Sequence, residues 1–166
     1  MNYHDSLISL WYIVIMYVTQ IKEWLSINKL KIEGVLAALC IAALLSKYSG
    51  LDGADQAVML SLSTLAVFYF LSSNFTPELT LTGYFGTIAT KLVGVTSAVI
   101  VVGILFSVLK LNGHEEMLRI AGSSIAVAGL AVTVYCIFFW NQNLIPIILR
   151  LAILGTICGA MLLGFD

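Results

Sequence analysis

Residues 91–110 read KLVGVTSAVIVVGILFSVLK, an apolar run with a lysine at each end and no charged residue between them. A helix needs about 20 mostly apolar residues to cross the hydrocarbon core of a bilayer. This run has the required length, and long lysine side chains at its ends can reach the polar headgroups. It therefore predicts a membrane-spanning helix.

The composition extends this prediction to the whole chain. Of its 166 residues, 60% are hydrophobic and 10% are charged, against roughly 25% charged residues in ordinary soluble domains. The net charge of -1 provides no basic surface for phosphate. The composition excludes a soluble enzyme, a disordered tail and a nucleic-acid binder, and predicts an all-α integral membrane protein.

Six apolar segments lie along the chain, at about 7–25, 32–49, 55–73, 85–110, 117–140 and 144–164. They predict six transmembrane helices. The first segment lacks the basic start of a cleavable signal, so it is expected to be retained. It either spans the membrane or lies in the interface, and the second case leaves five spans.

The chain also contains an internal repeat at an offset of 60 residues. Lys31-Ile32-Glu33-Gly34-Val35 aligns with Lys91-Leu92-Val93-Gly94-Val95, and Leu51-Asp52-Gly53 aligns with Leu111-Asn112-Gly113. Each copy predicts a helix, a tight turn with glycine and a returning helix. The sequence thus predicts a duplicated helical hairpin.

The repeat divides the chain into five parts. The hairpins occupy residues 31–73 and 91–140, and the segment 74–90 connects them. An N-terminal helix with a cytoplasmic connector precedes them at 1–30, and a C-terminal helix follows at 141–166.

The turns also carry signals for the start of a helix. Asp52 and Asn112 are predicted as N-caps, with Asp55 and Glu115 at the third helical position.

The distribution of basic residues predicts the orientation. Five of them fall on one side of the predicted bundle: Lys22, Lys29, Lys31, Lys91 and Arg150. An excess of Lys and Arg marks the cytoplasmic side. We therefore expect a multi-pass protein of a bacterial inner membrane, with the turns at 50–54 and 110–115 outside.

Two basic residues within apolar segments are candidates for function, because ionisable residues inside a membrane often are functional. Lys91 either marks a helix entrance or contributes to a transport path. Arg150 lies deeper in its segment, and it either pairs with Glu33 or Glu78 or anchors the helix to lipid phosphate. No acid lies at the midpoint of an apolar segment, which disfavours a proton-driven motor or pump.

Small residues predict close helix packing. They recur at intervals of four residues in Gly86, Thr90, Gly94 and Ala98, in Gly122 and Ala126, and in Gly155 and Gly159. Such spacing lets helix backbones approach each other in lipid. We expect Gly86, Gly94, Gly122, Gly155 and Gly159 to be packing residues.

Enzymatic chemistry is not expected. His114 beside Glu115 lacks further ligands nearby in sequence, so no metal site is predicted. No catalytic set and no cofactor-binding motif is present, and no cofactor is predicted.

The hairpins resemble one known family, the two-helix membrane anchor of the L-subunit of the gliding-motility and type IX secretion motor. Lys47, before the turn at 50–53, stands where that family has its lysine, and Phe106 stands where it has its phenylalanine. The family's glycines correspond to Gly94 and Gly103. The resemblance implies a helical hairpin scaffold and adds Lys47 to the candidate residues.

The chain also departs from that family. Gly50-Leu51-Asp52 and Lys110-Leu111-Asn112 replace the family's His-Trp-Pro turn, and Leu65 or Ile125 stands where its motor glutamate would be. The resemblance therefore implies the scaffold without the proton chemistry.

These observations favour a non-catalytic structural or accessory subunit of a membrane complex. Its expected partners are the lipid bilayer and other membrane subunits or further copies of itself, and no nucleic acid. The alternative is a small ion or solute channel or transporter, with a path lined by Ser and Thr together with Lys91 and Arg150.

Overall fold

The computed structural model describes residues 3–75, 84–138 and 145–164. These residues form five helices, with two tight turns between consecutive helices, and no strand. The helices are α1 (Tyr3–Tyr48), α2 (Ala54–Phe75), α3 (Tyr84–Val108), α4 (His114–Phe138) and α5 (Ile145–Leu162). The all-α prediction is confirmed for the described residues.

α1 is one continuous helix, where the sequence predicted two segments, 7–25 and 32–49, with a cytoplasmic connector between them. That separation is wrong. The connecting residues are polar but include no glycine or proline, and polarity alone does not break a helix. Asn28 instead supports it, because its Nδ2 donates a hydrogen bond to the carbonyl of Trp24, one turn earlier, at 3.1 Å.

The helices alternate in direction, with α3 at the centre. α3 packs against α2, α4 and α5, and α1 packs against α2. The end of α2 meets the beginning of α3, where Ser73 contacts Gly94. Both tight turns, α1–α2 and α3–α4, therefore lie at the same end of the bundle. The part of α1 from Ile32 onward together with α2 is hairpin 1, and α3 with α4 is hairpin 2.

The two turns share one backbone pattern at an offset of 60 residues. In the first, the N–H of Gly50 donates to the carbonyl of Lys47 and that of Leu51 to the carbonyl of Ser46. This pair of bonds is a Schellman motif, which caps the end of a helix and needs a residue with positive φ. In the second turn the equivalent bonds come from Lys110 and Leu111.

The left-handed position is filled differently in the two turns. Gly50 has φ 69° and Lys110 has φ 49°. Glycine adopts such a conformation without steric conflict, whereas a residue with a Cβ is strained there. Lys110 is the one non-glycine residue with positive φ among the described residues.

The predicted N-caps are wrong by one residue. α2 begins at Ala54, and the carbonyl of Gly53 accepts the first helical bond, from the N–H of Ala57. Gly53 therefore occupies the N-cap position rather than Asp52, because its positive φ of 81° turns the chain into the helix. In the second turn Gly113 likewise replaces Asn112.

Three helical stretches are long and apolar enough to cross a membrane: Ala54–Ser73, Ile88–Val108 and His114–Phe138. Ile147–Leu162 is apolar but shorter. A membrane location fits these helices, whereas six or five spans and the duplication of the hairpin stay predictions.

Candidate functional site

A buried ion pair joins the first and last helices. Nη2 of Arg150, on α5, donates a hydrogen bond to Oε2 of Glu33, on α1, at 2.6 Å. The side chains are only 12% and 16% exposed, respectively. Of the two acids that the sequence offered as partners for Arg150, the structure brings Glu33 to it, and Glu78 lies outside the described residues.

Tyr69, on α2, completes this group. Its hydroxyl donates to the other carboxylate oxygen of Glu33, Oε1, at 2.9 Å. Its ring also lies 5.2 Å from the guanidinium carbon of Arg150, within the range of a cation–π contact. We call Glu33, Tyr69 and Arg150 the ionic cluster, and it connects α1 and α2 with α5, which is distant in sequence.

The ionic cluster compensates its own charges. Each carboxylate oxygen of Glu33 accepts a hydrogen bond, one of them charge-assisted, so the carboxylate is satisfied although it is shielded from solvent. Removing one partner of such a pair leaves an uncompensated buried charge, which is strongly destabilising. This arrangement therefore stabilises the packing of the three helices against each other.

The ionic cluster lies at the end of the bundle opposite the turns. Tyr69 is about 22 Å along α2 from its first residue, at about 1.5 Å per residue. The hydrocarbon core of a bilayer is about 30 Å thick. If the turns lie at one membrane surface, the ionic cluster is therefore close to the other surface.

The same end contains the tightest helix contact described. A Cβ on Gly94 would lie 2.4 Å from the Cβ of Ser73 and 3.1 Å from its Cα, so only glycine fits there. This approach lets the hydroxyl of Ser73 donate across the interface to the carbonyl of Lys91 at 2.9 Å.

The predicted site residues Lys91 and Lys47 do not join the ionic cluster. The side chain of Lys91 is exposed, and Lys91 contributes only its backbone carbonyl to the interface. Lys47 lies at the opposite end, where its Nζ is 2.7 Å from Oδ1 of Asp55. Of the four predicted candidates, Lys91, Arg150, Glu33 and Lys47, the structure thus brings Arg150 and Glu33 together.

The predicted packing glycines differ in what surrounds them. Gly122 faces Leu162 on α5, where an added Cβ would be 3.2 Å from Cδ1, and Gly155 faces Ile125 at an ordinary 3.6 Å. Gly159 has open space around it, so the structure gives it no packing role within the chain. The surroundings of Gly86 lie outside the description.

Five hydroxyls that could line a transport path are turned back onto their own helices. Each of these side chains donates to a carbonyl three or four residues earlier: Ser61, Thr64, Ser123, Ser124 and Thr133. Hydrogen bonds of this kind satisfy a hydroxyl within an apolar segment.

Tyr69 was not predicted as a site residue, although its distance from the turn indicates its position. In a helical hairpin, residues equidistant from the turn face each other across the two helices. Glu33 and Tyr69 are equidistant from Leu51, and so are Lys47 and Asp55. Both of these pairs are in contact.

Comparisons with known proteins add no relative. No protein-family model, curated protein or solved structure matches this chain. The resemblance of the hairpins to the motor subunit's anchor stays a prediction. Among the residues that the structure describes, no three His, Cys, Asp or Glu side chains come together as a metal site would need.

Proposed function

We propose that this chain is a non-catalytic accessory or structural subunit of a membrane complex, multi-pass in a bacterial inner membrane. The observation that carries the proposal is the N-terminal part of α1, residues 3–28, which we call the arm. At about 1.5 Å per residue the arm is about 39 Å long. The described contacts of α1 with the other helices involve Lys29, Ile32 and residues after them.

The surface of the arm supports a role in assembly. The described apolar side chains on it are strongly exposed, including Ile15 at 59%, Trp24 at 59% and Ile27 at 77%. Exposed apolar surface on this scale is typical of interaction sites with protein or membrane. The exposed side chains of the arm are available to a partner subunit.

The charges within the bundle support a scaffold over a proton path. A path needs an acid that can gain and lose a proton inside the membrane. Among the described acids only Glu33 is shielded from solvent, and both of its oxygens are engaged by Arg150 and Tyr69. The duplicated hairpin and the outward turns are part of the proposal.

Purification from native membranes in mild detergent tests this function. The tagged chain is compared with an arm variant, Ile15→Ala with Tyr17→Ala and Trp24→Ala. A matched control truncates three exposed apolar residues of the bundle: Leu60→Ala, Val127→Ala and Leu130→Ala. We expect a stoichiometric partner with the tagged chain and the control, and loss of the partner with the arm variant.

Two outcomes would overturn the proposal. One is a full chain that purifies as a lone monomer from its native membrane. The other is ion or solute flux in liposomes that drops on Lys91→Ala, because flux of this kind supports the transporter instead.

A further inference from the structure

A small cavity lies beside Arg150, between α1, α2, α3 and α5. Its volume is about 10 Å³. Its wall is formed by Lys29, Ser72, Ser73, Thr90, Val93, Gly94, Ile147 and Arg150. A cavity needs about 10–15 Å³ of such space to hold one water molecule. This size excludes a lipid headgroup or an organic substrate and leaves room for a single ligand of the size of water.

Arg150, one of the lining residues, carries a buried donor without a partner among the described residues. Nε of Arg150 is buried and makes no hydrogen bond to another protein atom, whereas Nη2 of the same side chain is held by Glu33. An N–H of a guanidinium group can only donate. The cavity ligand must therefore offer an acceptor to this atom.

Ser73, another lining residue, carries an acceptor. The hydroxyl of Ser73 has given its proton to the carbonyl of Lys91, so its remaining capacity consists of lone pairs. An anion has no proton to donate to these lone pairs, and a cation cannot accept a hydrogen bond from Nε of Arg150. A ligand that both accepts and donates fits both walls, and water does this.

We propose that the cavity binds one ordered water molecule, which accepts a hydrogen bond from Nε of Arg150 and donates one to Oγ of Ser73. The water extends the ionic cluster into the tight contact between α2 and α3 at Gly94. It thereby couples the position of α5 to that contact. This site does not depend on the accessory-subunit function.

A double-mutant cycle on Val93 tests the water through the sign of a stability change. Val93 lines the cavity and is only 2% exposed, and Val93→Ile adds a methyl group there. Filling an empty cavity raises stability, whereas displacing a bound water leaves Nε of Arg150 unsatisfied and lowers it. The second background carries Glu33→Gln and Arg150→Met, which removes Nε and keeps the site uncharged.

We expect Val93→Ile to lower the melting temperature in the original chain and to leave it unchanged or raise it in the second background. An equal effect in both backgrounds, of either sign, contradicts the proposal.

Direct detection uses the two arginines of the chain, Arg119 and Arg150. In protein labelled with ¹⁵N-arginine and reconstituted in lipid, each gives one Nε–H signal, and Arg150→Lys assigns them. We expect a cross-peak from the Arg150 signal to a slowly exchanging water, whereas the exposed Arg119 exchanges rapidly. A protected Arg150 signal without a water contact, or one that contacts lipid ³¹P, overturns the proposal.

Discussion

The two hairpins have turns of the same type but differ at the end opposite the turn. Their turns form the same backbone hydrogen bonds, residue for residue at an offset of 60. At the far end, hairpin 1 carries Glu33 and Tyr69, whereas the equivalent positions of hairpin 2 are Val93 and Gly129. Local sequence therefore decides the turns, and the surroundings of each hairpin decide how its other end is used.

The equivalent glycines Gly34 and Gly94 show the same contrast. Gly34 has nothing within 4 Å of the position of a Cβ, whereas Gly94 faces Ser73 at 2.4 Å. The difference follows from location, because α3 lies between other helices and α1 lies at the edge of the bundle. One sequence position serves as a helix contact in hairpin 2 and has no such role in hairpin 1.

The largest expected effect concerns the feature that hairpin 2 lacks. Glu33→Leu leaves Arg150 buried without its counter-charge, and we expect a loss of about 3–5 kcal/mol in the free energy of unfolding. Adding Arg150→Met should restore most of the lost free energy of unfolding, since an apolar pair then replaces the ion pair. Denaturant unfolding in detergent micelles measures both, and a double variant as unstable as the single one would contradict the prediction.

The next effect compares the equivalent glycines. Gly94→Ala forces α2 and α3 apart, and overpacking of this kind typically costs about 1–3 kcal/mol. Gly34→Ala meets no atom and replaces a poor helix former, so we expect a gain of about 0.5–1 kcal/mol. Thermal unfolding of the two variants should shift in opposite directions, and shifts of the same sign would refute the difference in packing.

A smaller effect exchanges the residues at the left-handed position of the two turns, Gly50 and Lys110. Lys110→Gly relieves a left-handed residue, and we expect a gain of about 0.5–1 kcal/mol. The reverse exchange, Gly50→Lys, should lose a similar amount, because the site is open and only the backbone is strained. The melting temperatures of the two variants test this, and no change in either would show that the turns tolerate both residues equally.

The smallest effect concerns the ion pair at the turn of hairpin 1. Lys47 and Asp55 are 2.7 Å apart, but their side chains are 33% and 72% exposed. Exposed pairs contribute about 0–1 kcal/mol, so Asp55→Asn should change stability by less than that. A loss comparable to that of Glu33→Leu would remove the distinction between the two ends of the hairpin.

Sequence alone predicted the features that depend on neighbouring residues. Apolar run lengths indicate membrane helices, because the bilayer sets a minimum length, and the described helices confirm the all-α class. Glycines at equal spacing located both tight turns, since only they adopt positive φ freely. The sequence did not predict the continuous α1, because polarity indicated a connector between two helices. The polar stretch contains no helix breaker, so the helix continues through it.

Tertiary structure decided which residues meet across long sequence separations. Sequence offered both Glu33 and Glu78 to Arg150, and only the packing of α5 on the bundle places it against Glu33. It likewise decided that Gly94 is a close contact while Gly34 is open. The physical reason is that charge compensation and close packing depend on the neighbouring helix, and periodicity along one segment carries no information about which helix that is.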